Sequence, residues 1–229
     1  MTLYLSRARL RTDAPASALR RVLMPEGESA RIATAHRVVW MLFNDHPDRT
    51  RDFLWREEAP GRYLLLSRRA PTDPHGLFEL EEPKAFEPVL VVGDRLRFQL
   101  RANATVSQSL GREIRGKPQD VVMHALHGLP KAGRATERAD VIARTGRSWL
   151  ERVGERCGFR FPSSNDCTVV AHRVLALPRE AGRPAARMGV LDFEGVLEVR
   201  DPALFIEALS HGFGRGKAFG NGLMLIRRV

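Results

Sequence analysis

Residues 211–229 read HGFGRGKAFGNGLMLIRRV, with five glycines within eleven positions and an apolar run at 223–226. Glycine has no Cβ and readily adopts φ > 0, so this composition is typical of a tight loop that leads into a strand. The cations Arg215 and Lys217 lie inside the glycine run. Because backbone N–H groups and cations together bind phosphate oxygens, the pattern predicts an anion-binding loop; an ordinary surface turn is the alternative.

This loop does not match the common nucleotide-binding motifs. A P-loop requires Ser or Thr after Gly-Lys, and Gly216-Lys217 is followed by Ala218. A dinucleotide-binding fingerprint reads G-x-G-x-x-G between a first strand and a helix, whereas this segment reads G-x-G-x-G after most of the chain. The sequence therefore predicts no cofactor, and we expect the bound phosphate to belong to a polymer.

The composition of the whole chain agrees with a polyanionic partner. The 229 residues include 37 Lys plus Arg against 27 Asp plus Glu, a net charge of +10, and 43% hydrophobic residues. So much apolar material predicts a folded chain of one large or two small domains. A basic, arginine-rich chain is expected to bind nucleic acid, although a generally arginine-rich proteome would give the same balance.

Metal binding and membrane insertion are not indicated. Cys157 and Cys167 lack C-x-x-C spacing, and His124 and His127 have no third ligand nearby in the sequence. No apolar run approaches the roughly 20 residues of a membrane span, and the first residues carry charges too early for a signal peptide. We therefore expect no metal, no membrane contact and a cytoplasmic location.

Periodicity and turn residues predict an α+β protein. Residues 1–104 are expected to form a first ferredoxin-like domain from a strand at 2–11, a helix at 30–43, a hairpin at 52–57 and 62–69, an irregular segment with a weak helix and a strand at 95–104. Residues 105–229 are expected to form the second, from helices at 120–129 and 138–157, strands within 159–177 and 188–199, a helix that Asp201-Pro202 begins, and the glycine loop with its strand.

Three groups of cations are candidates for phosphate contacts, although each could also be a solvated face. They are Arg101 with its neighbours on one strand face, Arg112, Arg115 and Lys117 in a loop, and Arg179, Arg183 and Arg187 at a Pro/Gly-rich hairpin tip. Only three Trp and two Tyr are present, so a platform for stacking single-stranded bases is weakly supported. The pattern favours a structured RNA that is held by its backbone.

His36 is the candidate for proton transfer. It lies in the middle of the 30–43 helix, beside Arg37 and one turn before Trp40. Histidine is the side chain whose ordinary pKa lies near neutrality, which an RNA-cleaving site without metal would require. A histidine that is merely packed in the interior is the alternative.

Four stretches of this sequence resemble the CasE type of CRISPR repeat-processing endoribonucleases, from type I-E Cascade complexes. They are MTLYLSRARL at the start, AHRVVWMLF followed by DRTRDFLWREE, LRFQLRAN, and the ending FEGVLEVRDPALFIEALSHGFGRGKAFGNGLMLI. The resemblance implies two tandem ferredoxin-like (RRM-like) domains, a bound CRISPR repeat stem-loop, metal-independent cleavage at the 3′ base of that stem, and other Cascade subunits as partners.

The resemblance also implies site residues. His36 matches the family's catalytic histidine, and the family's glycine-rich loop matches Gly212, Gly214, Arg215, Gly216, Phe219, Gly220 and Gly222. Residues 179–187 match a loop that the family inserts towards the RNA stem. Family members often carry a tyrosine where this chain has Ala33, so the role of that hydroxyl is absent or is filled by Arg37 or Lys217.

In the implied reaction a ribose 2′-OH attacks the adjacent phosphorus and leaves a 2′,3′-cyclic phosphate and a 5′-OH. His36 would act as general base on the 2′-OH or as general acid on the 5′-oxygen, and Arg37 and Lys217 would hold the non-bridging oxygens. The alternative function is a non-catalytic RNA-binding subunit of the same fold, in which His36 only packs.

Overall fold

The computed structural model of this chain describes residues 2–13, 22–46, 48–107, 116–177 and 185–229. Its N-terminal unit consists of β1 (Leu3–Leu10), α1 (Glu28–Trp40), β2 (Phe53–Ala59), β3 (Arg62–Ser67), β4 (Phe78–Leu80) and β5 (Lys84–Phe86). The sheet has the order β2-β3-β1-β4, all antiparallel, and β5 also pairs with β1. This is the strand order of a ferredoxin-like fold.

The apolar side of α1 explains why the helix covers this sheet. Ala35 and Val39, four residues apart, are fully buried, and they pack in one cluster with Trp55 and Tyr63 of β2 and β3. The weak second helix that we expected in this unit is absent from residues 68–88, which the structure describes in full. That segment contains four prolines and forms the short strands β4 and β5, because proline interrupts helical hydrogen bonding.

The C-terminal unit repeats the same strand order. Its elements are β6 (Arg95–Ala102), β7 (Thr105–Val106), β8 (Gln119–Asp120), α2 (Val121–His127), α3 (Arg138–Cys157), β9 (Phe159–Arg160), β10 (Cys167–Leu177), β11 (Ala186–Val199), α4 (Pro202–His211) and β12 (Met224–Arg228). The sheet order is β10-β11-β6-β12, with β9 beside β11. Asp201 begins α4 as predicted, because its side chain accepts a hydrogen bond from the Leu204 N–H at 3.0 Å.

One assignment made from the sequence is wrong. We expected the strand at 95–104 to complete the N-terminal sheet, but β6 pairs with β11 and β12 and is the first strand of the C-terminal unit. Alternation of apolar residues such as Leu96 and Phe98 predicts a strand with one buried face, and it carries no information about which sheet the strand joins. We therefore propose that the boundary between the domains lies at 87–94, between β5 and β6, rather than after residue 104.

The two units meet along one face of α1. Glu28, Ile32 and His36 are spaced four residues apart and therefore share that face. The Arg173 guanidinium of β10 donates to Glu28 at 2.9 Å, and Ile32 packs in one cluster with residues of β10 and β11. The helix that carries His36 is therefore fixed to both sheets. Among the described residues, no helix combines the length and hydrophobicity needed to cross a bilayer.

Candidate active site

The glycine-rich loop between α4 and β12 lies against the N-terminal unit. All five of its glycines have φ between 66° and 93°. Gly216 and Gly220 are both left-handed and flank a single 3-10 turn, Lys217–Phe219. A Cβ built on Gly220 would lie 3.0 Å from Cζ3 of the buried Trp55. Glycine is therefore required at this position both by the backbone angle and by the close approach to β2.

Three of the five glycine N–H groups of this loop bond within the protein and do not face solvent as a phosphate cradle would. Gly212 donates to the Ala208 carbonyl at 2.8 Å, Gly222 to the Arg101 carbonyl at 2.7 Å, and Gly220 to the Lys217 carbonyl at 3.3 Å. These N–H groups are already satisfied inside the protein. At these three positions the glycines shape the loop, while contacts from the N–H groups of Gly214 and Gly216 to a phosphate stay a prediction.

Two buried asparagines, which we did not single out in the sequence, hold the loop in place. The Asn221 amide donates to the Gly216 carbonyl at 3.1 Å, across the turn that carries Lys217. Asn103, at the end of β6, donates to the Gly189 carbonyl at 2.7 Å, and its own carbonyl accepts from the Arg215 N–H at 3.2 Å. A polar residue between two glycines, as in Gly220-Asn221-Gly222, was the one available signal.

His36 faces this loop from α1. Its ring centroid lies 5.9 Å from that of Phe219, so Phe219 positions the imidazole. The side chain is half-buried, and its Nδ1 is buried without a hydrogen-bond partner among the described residues. Burial lowers the pKa of His36, and the charges of Arg51 and Arg37 lower it further, while a hydrogen bond with the Ala218 backbone opposes them. His36 is therefore mainly neutral near pH 7 and can accept a proton.

His36 faces the turn that carries Lys217, and a second cation near this turn, Arg51, was not predicted. Lys217 is half-buried; burial lowers its pKa most, the charge of Arg51 lowers it further, and Cys157 opposes the shift. Arg51, in the segment before β2, thus affects both His36 and Lys217. Arg37 is exposed and has the smallest influence on His36. The structure therefore brings α1 with His36 against the turn that carries Lys217, and adds Arg51.

The other predicted RNA contacts fall into three groups. Arg101 forms a two-pronged ion pair with Asp192 at 2.7 and 3.2 Å through Nε and Nη2, and its contact with phosphate stays a prediction. Lys117, Arg187 and Arg215 have exposed side chains. Arg112, Arg115, Arg179 and Arg183 lie outside the described residues. Among the residues that the structure describes, no group of three or more His, Cys, Asp or Glu could hold a metal ion.

We expect Gly220→Ala to destabilise the protein by about 2–4 kcal/mol, because a left-handed alanine costs about 1–2 kcal/mol and its methyl group would overlap Trp55. Gly76→Ala is the matched control, since Gly76 also has a positive φ, at 65°, but has nothing within 4 Å of its added Cβ. It should cost only about 1–2 kcal/mol. Urea unfolding measures both, and equal losses would contradict the close packing of the loop on β2.

Comparison with known proteins identifies the relatives of this chain. A family described as CRISPR associated protein matches residues 3–228. CRISPR-associated endoribonuclease Cse3 of Thermus thermophilus is 32% identical over 191 residues, which cover 76% of this chain and 78% of that protein. CRISPR system Cascade subunit CasE of Escherichia coli is 26% identical over 211 residues, covering 90% of this chain and 96% of that protein.

Solved structures agree with these sequence matches. CRISPR endoribonuclease Cse3 bound to a 19-nucleotide RNA superimposes with a TM-score of 0.69 at 26% identity, over 99% of this chain and 100% of that one. Thermus thermophilus Cse3 bound to an RNA that represents a pre-cleavage complex gives a TM-score of 0.69 at 25% identity, with the same coverage. The similarity therefore extends over both ferredoxin-like units and includes α1 and the glycine-rich loop.

Proposed function

Because this chain belongs to the CRISPR-associated endoribonuclease family of the CasE type, we propose that it cuts the repeat stem-loops of precursor CRISPR RNA. The observation that carries the proposal is that the half-buried His36 of α1 faces the Lys217–Phe219 turn at the junction of the two domains, with Arg51 near enough to lower the pKa of both His36 and Lys217. A relative of this chain has been solved with RNA in a pre-cleavage complex. A neutral imidazole beside uncompensated cations suits a reaction at a phosphodiester.

The chemistry is an attack of the RNA on itself. The 2′-oxygen of the ribose bonds to the adjacent phosphorus, the bond from phosphorus to the 5′-oxygen breaks, and the products are a 2′,3′-cyclic phosphate and a 5′-OH. His36 accepts the proton of the 2′-OH, and the departing 5′-oxygen takes up a proton from water or from the Lys217 ammonium. General base catalysis of this kind contributes about 10²- to 10⁴-fold.

Recognition of the stem rests on charge and shape. The chain carries a net charge of +10, and Lys117, Arg187 and Arg215 present exposed cations that can contact phosphates. The major groove of A-form RNA is too narrow for side chains to read bases, so these contacts hold the backbone. Many such contacts would retain the cleaved RNA, which suits a Cascade subunit that stays on its product, as the relative named Cascade subunit CasE suggests.

The proposal also covers the metal requirement of the reaction and the location of the protein. Cleavage requires no metal, since the 2′-OH is the nucleophile and side chains stabilise the charge. The protein works in the cytoplasm, and its two cysteines, Cys157 and Cys167, are free thiols, as is usual in that reducing compartment.

The rate of cleavage at subsaturating RNA should rise with pH and then reach a plateau. A general base acts in its neutral form, so activity is lost as pH falls through the pKa of His36. Because burial and Arg51 lower that pKa, the rising limb should lie below the ordinary value of about 6.5. Single-turnover rates between pH 4.5 and 8 measure it; a rate that falls with rising pH would assign His36 as general acid instead.

The proposed function is tested by incubating the protein with a labelled repeat hairpin in EDTA and resolving the products by size and by end chemistry. One cut at the base of the stem with a 2′,3′-cyclic phosphate supports it. Tight binding without any cut would favour the alternative, a non-catalytic RNA-binding subunit in which His36 packs against Phe219. A cut that appears only after a divalent metal is restored would contradict the mechanism.

A further inference from the structure

Arg51 lies where the chain passes between α1 and the glycine-rich loop. Two residues later, the Phe53 ring stacks on Phe43 at 4.3 Å and meets the edge of Trp40 at 5.1 Å, so the start of β2 is packed against the C-terminal end of α1. The next residue, Leu54, lies so close to the loop that a Cβ built on Gly212 would be 2.8 Å from its methyl groups. The backbone at Arg51 is therefore held close to both α1 and the glycine-rich loop.

Among the described residues, no carboxylate pairs with the guanidinium of Arg51. Nearby arginines are paired: Arg49 with Asp45 at 2.7 Å, and Arg69 with Asp52 at 2.9 Å. Arg51 has no ion pair and no side-chain hydrogen bond within the described ranges; its side chain is largely open to solvent, and the part that is covered lowers its pKa. A cation that has lost part of its hydration and has no carboxylate is stabilised when an anion arrives.

The charge of Arg51 acts on both residues that the mechanism uses. It lowers the pKa of His36 from the side of α1, and it lowers the pKa of Lys217 from the side of the loop. Arg37, the cation that the sequence suggested for this role, has a weaker effect on the pKa of His36 than Arg51 has. Arg51 is therefore the cation that the two halves of the site share.

We propose that Arg51 is a further catalytic residue, whose guanidinium binds the non-bridging oxygens of the phosphate that is cut. This inference rests on the proposed function. A planar guanidinium can donate two parallel hydrogen bonds to two phosphate oxygens, which a lysine cannot. Negative charge accumulates on those oxygens as the 2′-oxygen adds to phosphorus, so a donor fixed there stabilises the transition state more than the bound substrate. Its charge also keeps His36 neutral and ready to accept the proton.

The test compares Arg51→Gln, Arg51→Lys and wild type in single-turnover cleavage of the repeat hairpin, from pH 4.5 to 8. Affinity is measured on a hairpin with a 2′-deoxy nucleotide at the cut. For Arg51→Gln we expect the cleavage rate to fall by about 10- to 100-fold while the affinity stays within a few-fold. The rising limb of the pH–rate profile should move to higher pH, because the Arg51 charge no longer lowers the pKa of His36. Arg51→Lys should keep the limb near that of wild type and recover the rate only in part.

The matched control is Arg49→Gln, which removes an arginine two positions away that Asp45 already pairs. It should leave the rate and the limb unchanged. An NMR titration of His36 in the free proteins gives a readout that does not need cleavage, and Arg51→Gln should raise its pKa. A wild-type rate and limb in Arg51→Gln would overturn the inference, as would equal losses of rate and affinity with an unmoved limb. A wild-type protein that binds the hairpin without cutting it would instead overturn the proposed function itself.

Discussion

His36→Ala is expected to reduce cleavage of the repeat hairpin by about 10²- to 10⁴-fold while the affinity for the hairpin stays within a few-fold. The imidazole is the neutral base of the site, so its loss removes proton transfer. Single-turnover rates at saturating protein measure the chemical step, and filter binding to the 2′-deoxy hairpin measures affinity.

His75→Ala is the control for this prediction, because His75 lies on an exposed turn between β3 and β4. Its rate and affinity should equal those of wild type. If His36→Ala lost binding and cleavage together, or lost thermal stability to the same degree, His36 would be a packing residue against Phe219 and the assignment would be wrong.

Lys217→Ala is expected to cost about 10²-fold in the rate of cleavage, since removing one preorganised donor from a developing oxyanion typically costs that much. The ammonium is half-buried, which strengthens its interaction with phosphate relative to a surface lysine. Affinity should fall less than the rate, and the dependence of binding on salt should weaken by about one phosphate contact. Lys217→Arg keeps the charge and should retain part of the activity.

Lys117→Ala separates the role of Lys217 at the scissile phosphate from general electrostatic attraction of RNA. Lys117 is exposed and is predicted to contact the RNA stem. Its removal should weaken binding and the salt dependence by a similar amount, yet bound RNA should be cut at the wild-type rate. Equal cleavage rates for bound RNA in Lys217→Ala and Lys117→Ala would contradict the place of Lys217 at the phosphate.

The helices and most strands could be predicted because their signals are local. Apolar residues at helical spacing marked α1 to within about three residues, and Asp201-Pro202 marked the start of α4, where the cap hydrogen bond is present. The sheet to which β6 belongs could not be predicted in this way. Its neighbour β11 pairs through residues about 90 positions later, and alternation is the same whichever sheet a strand joins.

The site was predictable in part, where its residues carry a local signal in the sequence. His36 and Lys217 stood out by residue type, and the structure brings their elements together at the junction of the two units. Arg51 resembled the other arginines of its segment, because ion pairs such as Arg49 with Asp45 are visible only in the fold. The glycines predicted a loop correctly, but the use of their N–H groups in contacts to the Ala208 and Arg101 carbonyls depends on distant backbone.

The most direct test of the account removes a single oxygen atom from the substrate. A repeat hairpin with a 2′-deoxy nucleotide immediately 5′ of the scissile phosphate is incubated with wild-type protein in EDTA, beside the all-ribose hairpin. We predict equal affinity for the two hairpins, a single cut with a 2′,3′-cyclic phosphate in the all-ribose RNA, and no cut in the deoxy RNA. Cleavage of the deoxy hairpin at a comparable rate would show that the nucleophile is not the 2′-OH, and it would contradict the mechanism built on His36.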